Sequence, residues 1–317
     1  MRVYASCVAR TRAALDARLA GAPGGEILRE YFERGKMLRA YLVFAAAEAV
    51  GGETADVAIV AAAIELLHAA SLFHDDIIDE APHRRGVPAL QMRLGIGPAL
   101  VVGDELLLSA LAALAEMRDR HPPDRVLQAM GELVQLGRHC CRGQYEELHA
   151  GPWSDEEQYL SIVRGKTAAP FVAAGMLGAV FGGGTDAQID GIRSYANHLG
   201  IAFQIADDIL DLVGDSEDLG KPAGNSLAHQ RPLLPLIYLW RHGTDAVRAQ
   251  LRELAARGWP RQPVVALLEK HRTFDLVRET HRRHVQQALD ALEGAALPVA
   301  AGVDALRELA TGIATLA

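Results

Sequence analysis

The chain has 317 residues, of which 50% are apolar and 23% charged, which excludes a disordered or low-complexity protein. Its 40 acidic residues outnumber 32 basic ones, and the formal net charge of -8 excludes a sequence-independent nucleic-acid binder, which needs a basic face. Three cysteines, Cys7, Cys140 and Cys141, cannot build a disulfide framework and show no zinc-ligand spacing. A reducing, cytoplasmic setting is therefore expected.

Ala and Leu dominate, aromatics are 5%, and β-branched alternation is nearly absent, so the elements should be helices. The first stretch (MRVYASCVARTRAALDARLAG) has no apolar run of signal-peptide length and should end at Ala22-Pro23-Gly24-Gly25. Further breaks are expected at Gly51-Gly52, Gly95-Ile96-Gly97-Pro98, His121-Pro122-Pro123, Gly151-Pro152, Gly182-Gly183-Gly184 and Gly258-Trp259-Pro260. Stretches 56–73, 99–115 and 168–181 are apolar nearly all round, which predicts central helices. Glu65 and His68 interrupt the first, and Asp104 and Glu105 the second, so neither reads as a membrane span. Ser154 followed by Glu157 has the spacing of a capping box and predicts a helix start near Asp155. No composition shift marks a linker. The expectation is one all-α domain over residues 1–317, a large helical bundle.

One pattern recurs. Residues 74–79 read His-Asp-Asp-Ile-Ile-Asp and residues 206–211 read Ala-Asp-Asp-Ile-Leu-Asp. At about 100° per residue, Asp75, Asp76 and Asp79 share one helix face, as do Asp207, Asp208 and Asp211. Three carboxylates on one face of an apolar helix repel one another and gain nothing from packing. Two such triads suit Mg²⁺, which takes hard oxygen ligands and keeps waters and substrate phosphate oxygens. Cations stand near them in the sequence: Lys36 and Arg39, Arg84 and Arg85, Lys166 followed by Thr167, Lys221, and Arg231. His68 and Gln204 lie on the stripes of the first and second triad.

These residues resemble the trans-isoprenyl diphosphate synthases, the polyprenyl synthetase family. The likeness runs over roughly residues 30–240, through GKMLR (35–39), ELLHAASLFHDDIIDEAPHRRGVPA (65–89), GD (103–104), GQYEEL (143–148), GKTA (165–168) and FQIADDILDLVGDSEDLGKPAGN (203–225). It implies an all-α bundle around a deep central cavity, usually dimeric. It implies head-to-tail condensation of an allylic diphosphate with isopentenyl diphosphate, assisted by two or three Mg²⁺. Asp75, Asp76, Asp79, Asp207, Asp208 and Asp211 would face the metal ions. Arg84, Lys166 and Lys221 would hold the allylic diphosphate. Lys36, Arg39, His68 and Arg85 would bind isopentenyl diphosphate, and Thr167 and Gln204 would lie against the reacting carbons.

Three departures from the family pattern stand out. The first motif lacks a Gly, an Arg and a Pro. Ser226-Leu227 and Gln230-Arg231-Pro232 stand where the family has D-L and G-K-x-T-L-P, so Arg231 would replace a lysine. No basic residue follows Arg307. Ala70 and Ser71, five and four residues before the first triad, are small where the family's short-chain members carry aromatics. A product of C25 or longer is expected over C15–C20, unless a deeper residue such as Phe73, Phe171 or Met176 closes the tunnel. A terpene cyclase or a non-catalytic partner subunit would share some of these features. HRRG with GKTA argues against the first, and two intact triads argue against the second.

Overall fold

The structure, a computed structural model, describes residues 2–53, 56–214 and 223–317. Helix follows helix: α1 (Arg2–Leu19), α2 (Gly25–Glu33), α3 (Leu38–Ala49), α4 (Val57–Ile78), α5 (Leu90–Leu94), α6 (Ile96–Ala115) and α7 (Pro123–His149). Then come α8 (Glu156–Val163), α9 (Ala169–Phe181), α10 (Asp186–Val213), α11 (Asn225–Ala228) and α12 (Leu234–His242). The last four are α13 (Asp245–Ala256), α14 (Arg261–Lys270), α15 (Thr273–Gly294) and α16 (Ala300–Ala314). Among the described residues the strands are β1 (His83–Arg84) and β2 (Val87–Pro88), a two-residue hairpin. Arg85 (φ 54°) and Gly86 (φ 76°) turn it with two positive φ angles, the pattern that joins twisted antiparallel strands.

The expected breaks fall where helices end, with two corrections. Gly95 alone, at φ 89°, separates α5 from α6, and Pro98 lies in the first turn of α6, where a missing N–H costs nothing. Ser154 is not the cap of α8. Asp155 is: its side chain accepts the Gln158 N–H at 2.8 Å, and the helix starts at Glu156.

The Cα positions gather into two compact units whose sequence segments interleave. The first comprises Met1–Leu136, Pro170–Ala196 and Ala291–Glu308. Its core takes in α3, α4 and α9; α4 and α9 were expected to be central from their composition, and α3 joins them with nine buried residues from Ala40 to Ala49. Helix α6 differs. It exposes Ile96, Leu100, Val101, Leu107 and Leu108, so it is half surface rather than central, and Val101 and Leu108 are 60% and 61% exposed. Helix α4 and the stretch Ile96–Asp119 are long and apolar enough to cross a membrane, and 61% and 39% of their most apolar windows are buried in the fold.

The second unit comprises Gly137–Ala169, Asn197–Asp290 and Leu309–Ala317. Its core runs along Ile201, Ile205, Ile209 and Leu212 of α10 and takes in Tyr159, α12 and α14. Residues 164–168, holding the GKTA stretch, form a π turn between α8 and α9. A side chain at Gly165 would meet the His139 carbonyl at 2.8 Å, and one at Gly143 the Lys166 amide at 2.6 Å. The two glycines therefore let α7 and this turn touch backbone to backbone.

Candidate active site

Each aspartate triad inherits its geometry from the apolar stripe of its helix. On α4 the core stripe is Ala62, Leu66, Ala69 and Phe73. At about 100° per residue Asp76 lies about 50° from the centre of that stripe, Asp79 about 110° and Asp75 about 150°. On α10 the same rule puts Asp208 about 55°, Asp211 about 115° and Asp207 about 155° from the Ile201–Leu212 stripe. Four of the six are buried: Asp76 and Asp211 are 0% exposed, Asp208 3% and Asp79 9%. Asp75 and Asp207 stay half-buried.

The two middle aspartates are anchored differently. Arg84, on the hairpin, donates to Asp76 Oδ1 from Nε at 2.8 Å and also from Nη2. Burial raises the Asp76 pKa, and the Arg84 hydrogen bonds oppose that rise. Asp76 Oδ2 is buried without a hydrogen-bond partner. Asp208 instead takes three neutral donors: Tyr159 hydroxyl at 2.7 Å and the Leu234 N–H at 3.2 Å on Oδ2, and Gln204 Nε2 at 2.9 Å on Oδ1. Burial pushes its carboxyl up to about 7 against those bonds. Asp211 Oδ2 accepts the Ser226 N–H at 3.0 Å, so the Ser that stands in place of an expected Asp serves here through its backbone. Among the described residues no three His, Cys, Asp or Glu side chains converge on a closed metal shell. The donors are all hard oxygens, and an Mg²⁺ site completed by water and phosphate needs only one or two carboxylates.

In the first unit the structure brings together the residues expected to bind isopentenyl diphosphate. Arg39 Nη1 donates to His68 Nε2 at 3.0 Å, and its guanidinium lies over Phe171 at 4.5 Å. Burial first, then Arg39, Arg85 and Arg84, hold His68 well below the usual imidazole range, so it is neutral. Arg85 stacks on Tyr31 at 4.3 Å and donates to the Tyr31 carbonyl at 3.1 Å. A side chain at Gly35 would meet Arg85 Nη1 at 2.7 Å, so the glycine before Lys36 is what lets the two motifs approach. Lys36 is exposed, and its carbonyl accepts from the Tyr4 hydroxyl. Glu65, buried beneath them, accepts the Ala40 N–H at 3.0 Å.

In the second unit Thr167 donates to Gln204 Oε1 at 2.7 Å, and Gln204 in turn donates to Asp208, a relay of three expected residues. Lys166 Nζ stands 2.5 Å from Glu147 Oε2, and Arg231 Nε lies 3.6 Å from the same oxygen. Arg231 thus takes a place beside Lys166. Lys221 lies outside the described residues. Sequence reasoning missed Glu147, Tyr159 and Glu65. Glu147 and Glu65 lay within the quoted stretches GQYEEL and ELLHAASLF, and Glu65 stood out as a charge in an apolar run, but neither was given a role; nothing in the sequence marks Tyr159.

A model of the polyprenyl synthetase family matches residues 25–267. The chain belongs to that family. It is 32% identical over 264 residues to the octaprenyl diphosphate synthase of Haemophilus influenzae, covering 82% of this chain and 78% of that one. It is 34% identical over 275 residues to the geranylgeranyl diphosphate synthase of Mycobacterium tuberculosis, covering 86% and 76%. Among solved structures it resembles a decaprenyl diphosphate synthase from Rhodobacter capsulatus, with TM-score 0.87, 29% identity and 99% and 97% of the two chains covered. It matches a Caulobacter crescentus polyprenyl synthase complexed with calcium and isoprenyl diphosphate at TM-score 0.87 and 28% identity, over 100% and 97%. This polyprenyl synthetase is a trans-prenyltransferase, an enzyme that makes isoprenyl diphosphates.

Proposed function

We propose that this enzyme condenses isopentenyl diphosphate head-to-tail with an allylic diphosphate and releases a product of C25 or longer. Asp75, Asp76 and Asp79 of the first triad, and Asp207, Asp208 and Asp211 of the second, would face the two or three Mg²⁺ ions. Bound Mg²⁺ supplies charge neutralisation of the departing diphosphate, where it counts most in the transition state. Arg84, Lys166 and Lys221 hold the allylic diphosphate, with Arg231 serving as the family's lysine. Lys36, Arg39, His68 and Arg85 orient isopentenyl diphosphate. Thr167 and Gln204 present oxygen lone pairs to the allylic cation, since the Thr167 proton is engaged by Gln204.

The observation that carries the length reading is Ser71. It is small and half-buried, with its hydroxyl turned back to the His68 carbonyl at 2.8 Å, whereas Ala70 is 1% exposed and packed. Phe73, Phe171 and Met176 are packed too, at 2%, 0% and 0% exposed. The apolar surface of α6, with Leu127 and Val134 of α7, supports a second reading, that the enzyme is a homodimer covering that face. The test is to incubate the purified chain with Mg²⁺, isopentenyl diphosphate and C5, C10 or C15 primers, then weigh the products. Linear chains of C25 or more are expected. Chains ending at C15–C20 overturn the length reading, and cyclised hydrocarbons or no product overturn the reaction.

A further inference from the structure

Buried polar atoms are almost always paired, so an unpaired one asks for an explanation. Two of them belong to the first unit and to residues that line one cavity. The hydroxyl of Tyr31, on α2, and Oδ2 of Asp76, on α4, are both buried without a hydrogen-bond partner. Tyr31 is 7% exposed and Asp76 0%. Both line a cavity of about 20 Å³ together with Phe73 and Arg84. That is room for one water, with a donor and an acceptor in its walls. A phenylalanine at position 31 would fill the same space without burying a hydroxyl, so packing alone does not account for the tyrosine.

The remainder of Tyr31 is turned to Arg85. The guanidinium lies over the Tyr31 ring at 4.3 Å, and its Nη1 donates to the Tyr31 carbonyl at 3.1 Å, across 54 residues of sequence. Phe73 of α4 meets the same ring at 4.8 Å and 64°, which ties α2 to α4 three residues before Asp76. Arg85 is confined from another direction too, because a Cβ at Gly35 would come within 2.7 Å of Nη1. The Arg85 backbone sits at φ 54°, a conformation that a residue other than glycine keeps only where its surroundings hold it. One side chain thus carries Arg85 on its face and shares a cavity with Arg84 and the first triad.

We propose that Tyr31 is a positioning residue for prenyl transfer: its ring and carbonyl aim the Arg85 guanidinium at isopentenyl diphosphate, and its hydroxyl holds Asp76 Oδ2 through one water. The first half rests on the reading of Arg85 as an isopentenyl diphosphate residue; the second rests on the cavity alone. With Nη1 committed to the carbonyl, Arg85 keeps Nε and Nη2 for phosphate oxygens. The Tyr31 hydroxyl donates to the water and the water donates to Oδ2, with no proton transferred. Each carboxylate oxygen has two lone pairs, so Asp76 held in this way still has one per oxygen to offer elsewhere.

The test is steady-state kinetics of the whole chain with Mg²⁺, isopentenyl diphosphate and an allylic primer, each substrate varied in turn. Tyr31→Leu, or Tyr31→Met where Leu does not fold, should raise the KM for isopentenyl diphosphate about tenfold and that for the primer less than about twofold. Tyr31→Phe restores the stacked ring and should return that KM to within about twofold of wild type. In a chain already carrying Arg85→Ala, loss of the Tyr31 ring should add nothing further. Equal rises in both KM values, a Tyr31→Phe as impaired as Tyr31→Leu, or additive effects with Arg85→Ala overturn the role of the ring. An Arg85→Ala that raises the primer KM instead overturns the assignment of Arg85, and additivity with Tyr31 still decides whether the tyrosine positions it. The hydroxyl is read separately, from urea midpoints in excess chelator. Tyr31→Phe should lower the midpoint, because Asp76 loses its bridged donor. A raised midpoint would mean that the hydroxyl is a buried group without a partner, which overturns the water bridge.

Discussion

The two triads share a spelling, D-D-x-x-D, and an angular relation to their core stripes, yet their buried middle members are anchored by opposite chemistry. Asp76 is held by a guanidinium, Asp208 by a phenol, an amide and a backbone N–H. An ion pair joins Asp76 to Arg84, the arginine proposed to grip the allylic diphosphate. Neutral donors leave Asp208 with a carboxyl that titrates near 7 and make no demand on any cation of the site. If Arg84 binds diphosphate as proposed, Asp76 would have to share or exchange its partner, whereas the donors to Asp208 would stay in place.

The largest effect should come where the two triads are alike. Asp75→Ala and Asp207→Ala remove the outward carboxylates, which repel their neighbours and are useful only with metal. Turnover should fall about 100-fold or more for each, with the circular-dichroism spectrum unchanged. A variant that loses its helical spectrum along with its activity would make that aspartate structural instead.

The middle positions should separate the triads. Asp76→Asn leaves Arg84, three-quarters buried, without its anion, and should cost about 3 kcal/mol of stability. Asp208→Asn keeps an acceptor for Tyr159 and Leu234 and mismatches only Gln204, so about 1 kcal/mol is expected. Urea midpoints decide it, and equal losses would mean that the anchors are equivalent.

How far this contrast was legible in the sequence depends on the link considered. Helix content followed from Ala and Leu, and the expected breaks at Pro23 and Gly182 hold. The burial of Asp76 and Asp208 was also there, in the spacing of Phe73 and Ile205 to the aspartates. The stripe of α6 misled, because an apolar helix looks the same whether core or another molecule covers it. The anchors were illegible. Tyr159 reaches Asp208 across 49 residues of sequence, and Glu147 meets Arg231 across 84, and such contacts are set by packing rather than by local pattern. Arg84 was expected near the first triad from HRRG, but its bond to Asp76 needed the hairpin turn at Arg85 and Gly86.

The contrast also has a pH signature, to be read in excess chelator so that metal does not compete. Asp208 ionises near 7 when folded and at about 3.9 when unfolded. Between those values the folded chain holds a proton that the unfolded chain releases, so this group makes stability rise as pH falls from 7 towards 4, by at most about 1.4 kcal/mol per pH unit. His284 runs the other way. Its folded pKa of about 4 lies below the unfolded value of about 6.5, so it makes stability fall over the same window. Only a difference separates them. Wild type minus Asp208→Asn should show a stability gain that grows as the pH falls from 7 and levels off at its full value below about pH 4. A flat difference would mean that Asp208 titrates like an ordinary carboxylate.

The smallest effect on rate, and the sharpest on product, should come one turn upstream of each triad. Four residues before Asp75 stands Ser71, and four before Asp207 stands Phe203. Ser71→Phe therefore writes the second triad's pattern onto the first. Ser71 is half-buried, so a ring there has somewhere to project and should obstruct a growing chain. On the proposed reading the first condensation takes place at the diphosphates and precedes any contact with that ring, so its rate should change by less than about tenfold while the product distribution shifts to shorter chains. Ala70→Phe is the control for shape rather than position. Ala70 is 1% exposed in a packed wall, so the ring must displace neighbours and should cost about 1–3 kcal/mol of stability. Mass spectrometry of the products, with thermal melts of both variants, decides the matter. If Ser71→Phe leaves the lengths unchanged, the stop lies at another residue, and Phe203 and Ser71 differ for reasons unconnected with the chain.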